Sequence, residues 1–315
     1  MPDVGSPFVA LAVAAAATPI LARHALTSGW IDRREGAEER KPRRSPVPLV
    51  GGAALALALA AWDLSGGSGL PWPALLGALA LGGVDDLVPG GLAPRHKLWG
   101  QAVVALLLAL FPGAAGVAGF FDHAALFILA IVAMNAVNTF DNADGAATTL
   151  CLAALWPHGG ARAALLGFLP FNLFVRRRGT GGERPPVAML GDSGSHLLGV
   201  MVAATPGAEP LLLVPLLDLG RLALVRERLG RRPWEGDRRH LAHRFEALGL
   251  GPVAVAGCLL GLLLPTWLAA RIGAGSFMVP LGALVTLALF LVALQVTPDP
   301  DTLAPEDPSA DHGPL

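Results

Sequence analysis

The chain has 315 residues and a formal net charge of −1, with 53% hydrophobic residues, 15% charged residues and a mean hydropathy of +0.56. Soluble domains carry about 25% charged residues, so this composition predicts an integral membrane protein and excludes an ordinary soluble domain. The balanced charge gives no indication of a nucleic-acid partner. Cys151 and Cys258 lie in apolar segments without metal-ligand spacing, which is typical of buried thiols.

Apolar segments suited to crossing a bilayer recur along the whole chain. We place them near residues 7–26, 46–63, 70–86, 98–118, 124–140, 145–158, 160–176, 194–207, 209–225, 251–270 and 276–297. Because the sixth and eighth are short, the expected fold is an all-α polytopic membrane protein with ten or eleven transmembrane helices. Basic residues follow the first segment instead of preceding it, which indicates a membrane span and not a secretory signal peptide.

The basic residues fall on one side of this layout. Of the 23 Lys and Arg residues, 21 lie in residues 23–45, 87–97, 176–193 and 221–250, which the eleven-segment layout places on the same side. The positive-inside rule makes that side cytoplasmic. The protein is therefore expected in the plasma (inner) membrane, with its N-terminus outside and its C-terminus in the cytoplasm.

The layout predicts a single polytopic domain over residues 1–297. Residues 298–315 are rich in Pro and Asp, which is typical of a disordered tail. Four polar clusters lie at segment ends or in loops on the cytoplasmic side, whereas loop acids placed at random would be divided between both faces. We therefore expect an active site at the cytoplasmic face.

The first cluster is GGVDDLVPGGLAPRHKLWGQ, residues 82–101, at the end of the third segment. Adjacent carboxylates repel each other, so Asp85 and Asp86 both stay ionised only beside a cation or a base. Arg95 and Lys97 follow within one short loop. We interpret the pair as part of a metal or phosphate site, and a solvated charged loop is the alternative.

The second cluster is NAVNTFDNADG, at the end of the fifth segment. Asn135, Asn138 and Asp141 are three residues apart, so they form one stripe on a helix, and Asp144 follows. Carboxylate and amide oxygens are hard ligands of the kind that Mg²⁺ prefers. Helix C-capping is the alternative, which explains the final glycine but not the stripe.

The third cluster is MLGDSGSHLLG, which opens the eighth segment. Asp192 offers a metal ligand between two glycines that allow close backbone approach. Ser193 or Ser195 can cap the following helix, whose N-terminus favours a phosphate group. A plain helix cap is the alternative for this motif taken alone.

The fourth cluster is GDRRHLAHRFEALGL, residues 236–250. His240 and His243 are spaced for zinc binding on one helix face. Arg239 and Arg244 flank them and favour an anion such as a diphosphate over a cation. A basic surface helix lying on anionic lipid is a third interpretation.

Taken together and in this order, the four clusters resemble those of the polyprenyl-phosphate N-acetylhexosamine-1-phosphate transferases. The resemblance covers most of residues 30–250, and RKPRRSPVPLVGG, which contains Lys41, resembles the family's first cytoplasmic loop. The family includes the enzyme that makes lipid I for peptidoglycan and the GlcNAc-1-phosphate transferases that start envelope polysaccharides. The resemblance implies attack by a polyprenyl phosphate on a UDP-N-acetylhexosamine, with release of UMP.

The resemblance also implies roles for individual residues. Asp192, with Asp141 near it, would hold Mg²⁺, or Mn²⁺ in its place, and Lys97 would pair with the lipid phosphate. The candidate catalytic carboxylates are Asp85, Asp86, Asp141 and Asp144. The candidate substrate-binding residues are Lys97, Asn135, Asn138, His240, His243 and Arg244, and the candidate nucleotide-binding residues are Asn172 and Lys41.

The chain departs from the family pattern at several positions. Asn142 replaces the first glycine of Asp-Gly-x-Asp-Gly, Ala242 stands where a histidine is common, and Met189 stands where an aromatic that stacks on uracil is often found. The basic stretch 176–184 separates Asn172 from the third cluster. These departures leave open a degenerate relative that binds lipid phosphate without catalysing transfer.

Further alternatives concern the substrate and the class of protein. The lipid-I enzyme usually carries a denser histidine cluster than HLAHR, so a small UDP-N-acetylhexosamine is favoured over the muramyl-pentapeptide substrate. An ion-coupled transporter would have its site near the bilayer midplane, on broken helices with internal repeats. Here the acids lie at segment ends, without a convincing repeat. The sequence does not determine the oligomeric state, and a homodimer is one option.

Overall fold

The computed structural model describes residues 5–32, 45–67, 69–111, 119–232, 239–272 and 277–300. Within these residues it contains twelve α-helices. They are α1 (Pro7–Ser28), α2 (Gly51–Leu64), α3 (Trp72–Leu87), α4 (Pro94–Ala109), α5 (Phe120–Phe140), α6 (Ala146–Ala154), α7 (Gly159–Leu169), α8 (Gly191–Ala204), α9 (Leu213–Arg228), α10 (Leu241–Ala247), α11 (Pro252–Arg271) and α12 (Met278–Val296). The β-structure of the same residues is limited to isolated bridges, so the predicted all-α fold is confirmed.

Helix length distinguishes the predicted membrane segments. Four helices, α1, α5, α11 and α12, are long and apolar enough to cross a membrane by length and composition. The segments predicted at residues 145–158 and 160–176 contain α6, with nine residues, and α7, with eleven, or about 14 and 16 Å at 1.5 Å per residue, so neither helix is long enough to cross alone. The hydrocarbon core is about 30 Å thick. The total number of crossings stays a prediction.

A proline sets the start of α4. The sequence placed this segment at residues 98–118, whereas the helix begins at Pro94. Proline suits the first helical position because its φ angle is already helical and its missing N–H would have no acceptor there. Lys97 therefore lies in the first turn of a helix and not in the predicted loop.

Helix α8 lies at the centre of the part of the molecule that carries the polar clusters. It packs against α2, α3 and α5, and most of its residues are buried. A Cβ atom at Gly82 of α3 would lie 2.3 Å from the backbone of Asp192, and one at Gly199 would lie 2.5 Å from the Cα atom of Met134 in α5. Since no side chain fits at these distances, the backbone of α8 touches both neighbouring helices directly.

Extended segments join the regions that precede α2 and α8. The Met189 N–H donates to the Pro48 carbonyl at 2.9 Å. The Ser45 N–H donates to the Glu183 carboxylate at 2.8 Å. The basic stretch 176–184 thus folds back on the chain before α2, and both contacts keep the starts of α2 and α8 together beside the polar clusters.

Candidate active site

Lys97, in the first turn of α4, bonds to two carboxylates from different helices. Its Nζ atom lies 2.9 Å from Asp85 Oδ2 at the end of α3 and also donates to Asp192 Oδ2 at the start of α8. The other Asp85 oxygen accepts the Leu92 N–H at 2.5 Å. One cation thus offsets two anions, and it joins the ends of three helices at one point.

Asp86 lies beside Asp85 in the sequence but has a different set of contacts. Its Oδ1 atom accepts the Asp192 N–H at 2.8 Å, and its Oδ2 atom accepts the Ser193 N–H at 3.1 Å. A carboxylate at the N-terminus of a helix satisfies N–H groups that have no acceptor within the helix and interacts favourably with the helix dipole. The expectation that Ser193 or Ser195 caps α8 is therefore wrong, because Asp86 provides the cap from α3.

The Asp192 carboxylate is held by two donors. Asn138 Nδ2 donates to its Oδ1 atom at 2.6 Å and to the Ser195 hydroxyl at 3.0 Å. The other oxygen bonds to Lys97. Because each oxygen has its own donor, the carboxylate has one fixed orientation at the start of α8.

Asp141 is the first residue after α5 and lies among other acids. Burial, followed by the negative charges of Asp192, Asp86 and Asp144, raises the pKa of Asp141 well above its ordinary value. Carboxylates crowded in this way favour a cation or a proton as an additional partner.

A buried polar network runs behind Asp192. Asn135 Nδ2 donates to Gln101 Oε1 at 2.9 Å and to the Ile131 carbonyl at 2.8 Å. Gln101 Nε2 lies 3.0 Å from His196 Nε2, and His196 Nδ1 lies 2.6 Å from the Asp192 carbonyl. The network links α4, α5 and α8, so it supports the backbone of Asp192 while Lys97 and Asn138 support its side chain.

Asp144, the fourth predicted catalytic carboxylate, is paired with an arginine. It is 2% exposed, and its Oδ2 atom lies 2.5 Å from Arg176 Nη1. Arg176 also donates to the Leu173 carbonyl at 2.8 Å. Asp144 therefore anchors the start of the basic stretch 176–184, and a catalytic role for it stays a prediction.

Asn172, predicted to bind the nucleotide, lies in a buried structural contact. Its Oδ1 atom accepts from the Thr148 hydroxyl at 2.7 Å, and its Nδ2 atom donates to the Ala188 carbonyl at 3.1 Å. It is 1% exposed. The side chain thus ties α6 to the segment before α8. The other predicted nucleotide-binding residue, Lys41, lies outside the described residues.

The histidine motif is attached to α9 through Asp218. His240 Nδ1 lies 3.2 Å from Asp218 Oδ2, and Arg221 Nη2 donates to Asp218 Oδ1 at 2.8 Å. The His240 and His243 ring centroids are 6.4 Å apart. His243 Nδ1 lies 2.8 Å from Glu246 on the same short helix. Both predicted histidines are therefore paired with carboxylates, one buried and one partly exposed.

Arg244 is buried and is directed at the end of α12. Its Nη2 atom donates to the Leu294 carbonyl at 2.7 Å and to the Thr297 carbonyl at 2.6 Å, and its Nε atom donates to the Thr297 hydroxyl at 3.0 Å. The last carbonyl groups of a helix receive no hydrogen bond from an N–H group of the same helix. A positive charge at that end also interacts favourably with the helix dipole. The structure thus uses the guanidinium to hold α10 against α12, which the sequence did not suggest.

Individual proteins match the chain, although no protein-family model does. It is 28% identical over 287 residues to the decaprenyl-phosphate N-acetylglucosaminephosphotransferases of Mycobacterium tuberculosis and Mycolicibacterium smegmatis, and each alignment covers 67% of this chain and 68% of the relative. A Streptomyces coelicolor protein assigned as a glycosyltransferase is 32% identical over 288 residues, covering 79% of this chain and 65% of that protein. The chain is a homologue of these decaprenyl-phosphate N-acetylglucosaminephosphotransferases. The resemblance seen in the four clusters is thereby confirmed.

The donor set of this transferase homologue suits a hard divalent cation. Mg²⁺ is usually bound by one or two carboxylates together with substrate phosphates. Asp141 and Asp192 can supply the carboxylates, and the crowding of negative charge around Asp141 favours a cation there. Among the described residues, no group of three His, Cys, Asp or Glu side chains is arranged to hold a metal ion alone.

Five residues with polar contacts around these clusters were missed by sequence reasoning. They are Gln101, Arg176, His196, Asp218 and Arg221. Gln101 and His196 are the last polar residues of α4 and α8 before wholly apolar stretches, a pattern that points to a buried polar network. Asp218 and Arg221 have the three-residue spacing of a helical ion pair. Arg176 had no usable signal, because it is the first of three consecutive arginines.

Proposed function

We propose that the protein transfers N-acetylhexosamine-1-phosphate from a UDP-sugar, with UDP-GlcNAc favoured, to a polyprenyl phosphate. An oxygen of the lipid phosphate attacks the phosphorus that carries the sugar, and the bond from that phosphorus to UMP breaks. The products are a polyprenyl-diphospho-sugar and UMP, and the product would initiate a cell-envelope glycan. The assignment of the mycobacterial relatives as decaprenyl-phosphate N-acetylglucosaminephosphotransferases supports this reaction class.

The observation that carries the proposal is the bridge from Lys97 to Asp85 and Asp192 at the ends of apolar helices. Phosphoryl transfer depends mainly on positioning and on neutralising charge. Lys97 can release one carboxylate and bond to the lipid phosphate. Asp192 and Asp141 would hold Mg²⁺ or Mn²⁺, which when bound supplies positive charge to the diphosphate.

The remaining carboxylates of the cluster would position groups more than they would remove protons. A phosphate monoester has a second pKa of about 6, so it is largely dianionic at neutral pH and needs no strong base. Asp85 would orient Lys97, and Asp86 would hold the start of α8. Asp144 would act through Arg176, which it contacts at 2.5 Å.

His240 and His243 would contact the diphosphate of the UDP-sugar, and Asn135 and Asn138 would keep the Asp192 region in place. Arg244 would act indirectly, by keeping α10 in place, because its guanidinium is hydrogen-bonded to the end of α12. Asn172 would act on the nucleotide side in the same indirect way. Lys41 would bind the nucleotide from the first cytoplasmic loop.

The proposed site faces the cytoplasm, where UDP-sugars are made and where the lipid phosphate is reached from the bilayer. Tags at residues 35, 180 and 235 should report a cytoplasmic position, and a tag at residue 272 an outside position. A cytoplasmic signal at 272 beside one at 235 would contradict the layout of the last third of the chain. Light scattering of the purified protein in detergent would test whether it is a homodimer.

Incubation of the purified protein with undecaprenyl or decaprenyl phosphate, Mg²⁺ and a panel of UDP-sugars tests the proposal. UMP should be released with at least one UDP-N-acetylhexosamine and only when the lipid is present. Omission of the lipid is the control for simple hydrolysis. A complete absence of UMP with every sugar would overturn the proposal in favour of a relative that binds lipid phosphate without catalysis.

A further inference from the structure

A buried carboxylate holds one histidine of the motif. Asp218 lies in the middle of α9 and is 1% exposed. Its Oδ1 atom accepts from Arg221 Nη2 at 2.8 Å and from Nε at 3.2 Å, and its Oδ2 atom accepts the Leu241 N–H at 3.1 Å and lies 3.2 Å from His240 Nδ1. Taking a carboxylate out of water is costly unless such donors surround it. One oxygen is thus used by α9 and the other by the start of α10.

The contacts of Asp218 explain how α10 begins. His240 occupies the position before the helix, and its side chain makes no capping bond. The first N–H groups of a helix have no acceptor within it, and Asp218 accepts that of Leu241. Arg221 also donates to the Arg239 carbonyl at 2.5 Å. The residues on both sides of His240 are therefore fixed to α9.

The same contact determines which nitrogen of His240 carries hydrogen. An ionised carboxylate only accepts hydrogen bonds, so its contact with Nδ1 requires the hydrogen to be there. In the neutral ring, the second nitrogen, Nε2, then has the lone pair. Nε2 is consequently the nitrogen left to face a substrate, and it donates to a phosphate oxygen when it also carries hydrogen, as in the imidazolium, in which both nitrogens are donors.

The second histidine provides an internal comparison. His243 Nδ1 lies 2.8 Å from Glu246, but the Glu246 side chain is 30% exposed and belongs to the same short helix. Exposed ion pairs are weak because water screens them. Asp218 is buried and reaches His240 from another helix. The buried pair is therefore the one able to fix a ring orientation.

We propose that Asp218 is a positioning residue for His240: it holds Nδ1–H and so fixes the ring in one orientation, in which the imidazolium donates its Nε2–H to the substrate diphosphate, with Arg221 holding the carboxylate. The inference rests on the proposed function, because it takes the UDP-sugar diphosphate as the partner of His240.

The first test measures the tautomer without any reaction. Full-length protein with ¹⁵N-labelled histidine, in nanodiscs at a pH where the ¹⁵N shifts themselves show a neutral ring, is compared with Asp218→Asn. The His240 signals are identified by their loss in His240→Gln. Wild-type protein should show the Nδ1–H tautomer, and Asp218→Asn should shift His240 to a mixture. Glu227→Gln, an exposed acid on the same helix, is the control and should leave the signals unchanged. Retention of a pure Nδ1–H tautomer in Asp218→Asn would overturn the proposal.

The second test separates positioning from folding. Asp218→Asn should lower kcat/KM for the UDP-sugar about tenfold, the lower end of the range for loss of a carboxylate that orients a functional histidine, and mainly through KM because His240 would contact the bound substrate. In a His240→Gln background the same change should have little further effect. An equal tenfold loss in that background would mean that Asp218 supports the fold alone. If wild-type protein releases no UMP, the proposed function fails, and the tautomer measurement still decides the role of Asp218.

Discussion

The acidic cluster around the start of α8 and the histidine motif around the start of α10 use their charged residues differently. In the acidic cluster, the single ammonium of Lys97 serves Asp85 and Asp192, and Asp141 lies among further negative charges. In the histidine motif, Arg244 is bonded to the end of α12 and His240 to Asp218. The first region thus has negative charge that suits an added cation, whereas the second uses most of its charge to hold helices together.

The largest effect should come from the metal and from Asp192. Asp192→Asn should lower the rate of transfer about 1,000-fold, the upper range for loss of a group that stabilises charge in a transition state, because an amide cannot balance a divalent cation. Chelator should abolish wild-type activity, and added Mg²⁺ should restore it. UMP release is the readout. Near-wild-type turnover of Asp192→Asn would remove this residue from the metal site and weaken the contrast between the two regions.

Lys97→Met should have the next largest effect. It removes the cation shared by Asp85 and Asp192, and we expect a loss of about 100-fold in kcat/KM for the polyprenyl phosphate. Arg95→Met is the matched control, since Arg95 is an exposed cation in the same first turn, and it should stay within about twofold. Equal losses in both variants would mean that general positive charge at this membrane face matters, and that the bridge does not.

Arg244→Met should affect stability more than catalysis. It removes hydrogen bonds from a charged donor to Leu294 and Thr297, which should cost about 2 kcal/mol and lower the apparent Tm by about 5 °C. KM for the UDP-sugar should change less than about threefold. Arg228→Met, an exposed arginine at the end of α9, should leave Tm unchanged. A large, salt-sensitive rise in KM at normal Tm would instead restore Arg244 as a phosphate contact.

Glu246→Gln should have the smallest effect. It removes the partly exposed carboxylate beside His243, and such pairs contribute about 1 kcal/mol or less. We expect kcat/KM to change less than about twofold. A loss as large as that expected for Asp218→Asn would show that exposure does not distinguish the two histidine–carboxylate pairs.

Much of the helical fold could be predicted from the sequence because apolar composition alone identifies most of the helices. The errors occurred where short-range signals decide the boundary. Pro94 starts α4 inside what looked like a loop, and α6 ends at Ala154. Neither feature changes the average hydropathy of its segment, so a search for apolar segments of membrane-spanning length could not detect it.

The candidate site was predictable in its members but not in its pairings. Asp85, Lys97 and Asp192 were identified from their motifs, yet Lys97 and Asp192 are 95 residues apart. Spacing along one segment does not show which distant helices pack together. For the same reason, the sequence indicated His240 and Arg244 as similar phosphate contacts. Packing against α9 and α12 gives them different surroundings.

The most direct test of the central claim is mass spectrometry of the lipid product. Wild-type protein supplied with UDP-GlcNAc, polyprenyl phosphate and Mg²⁺ should form polyprenyl-diphospho-N-acetylglucosamine in amounts equal to the UMP released. Asp192→Asn should form almost none, while Arg95→Met should form as much as wild type. Release of UMP without the lipid product, or equal product from Asp192→Asn, would contradict the assignment of sugar-phosphate transfer to the acidic cluster.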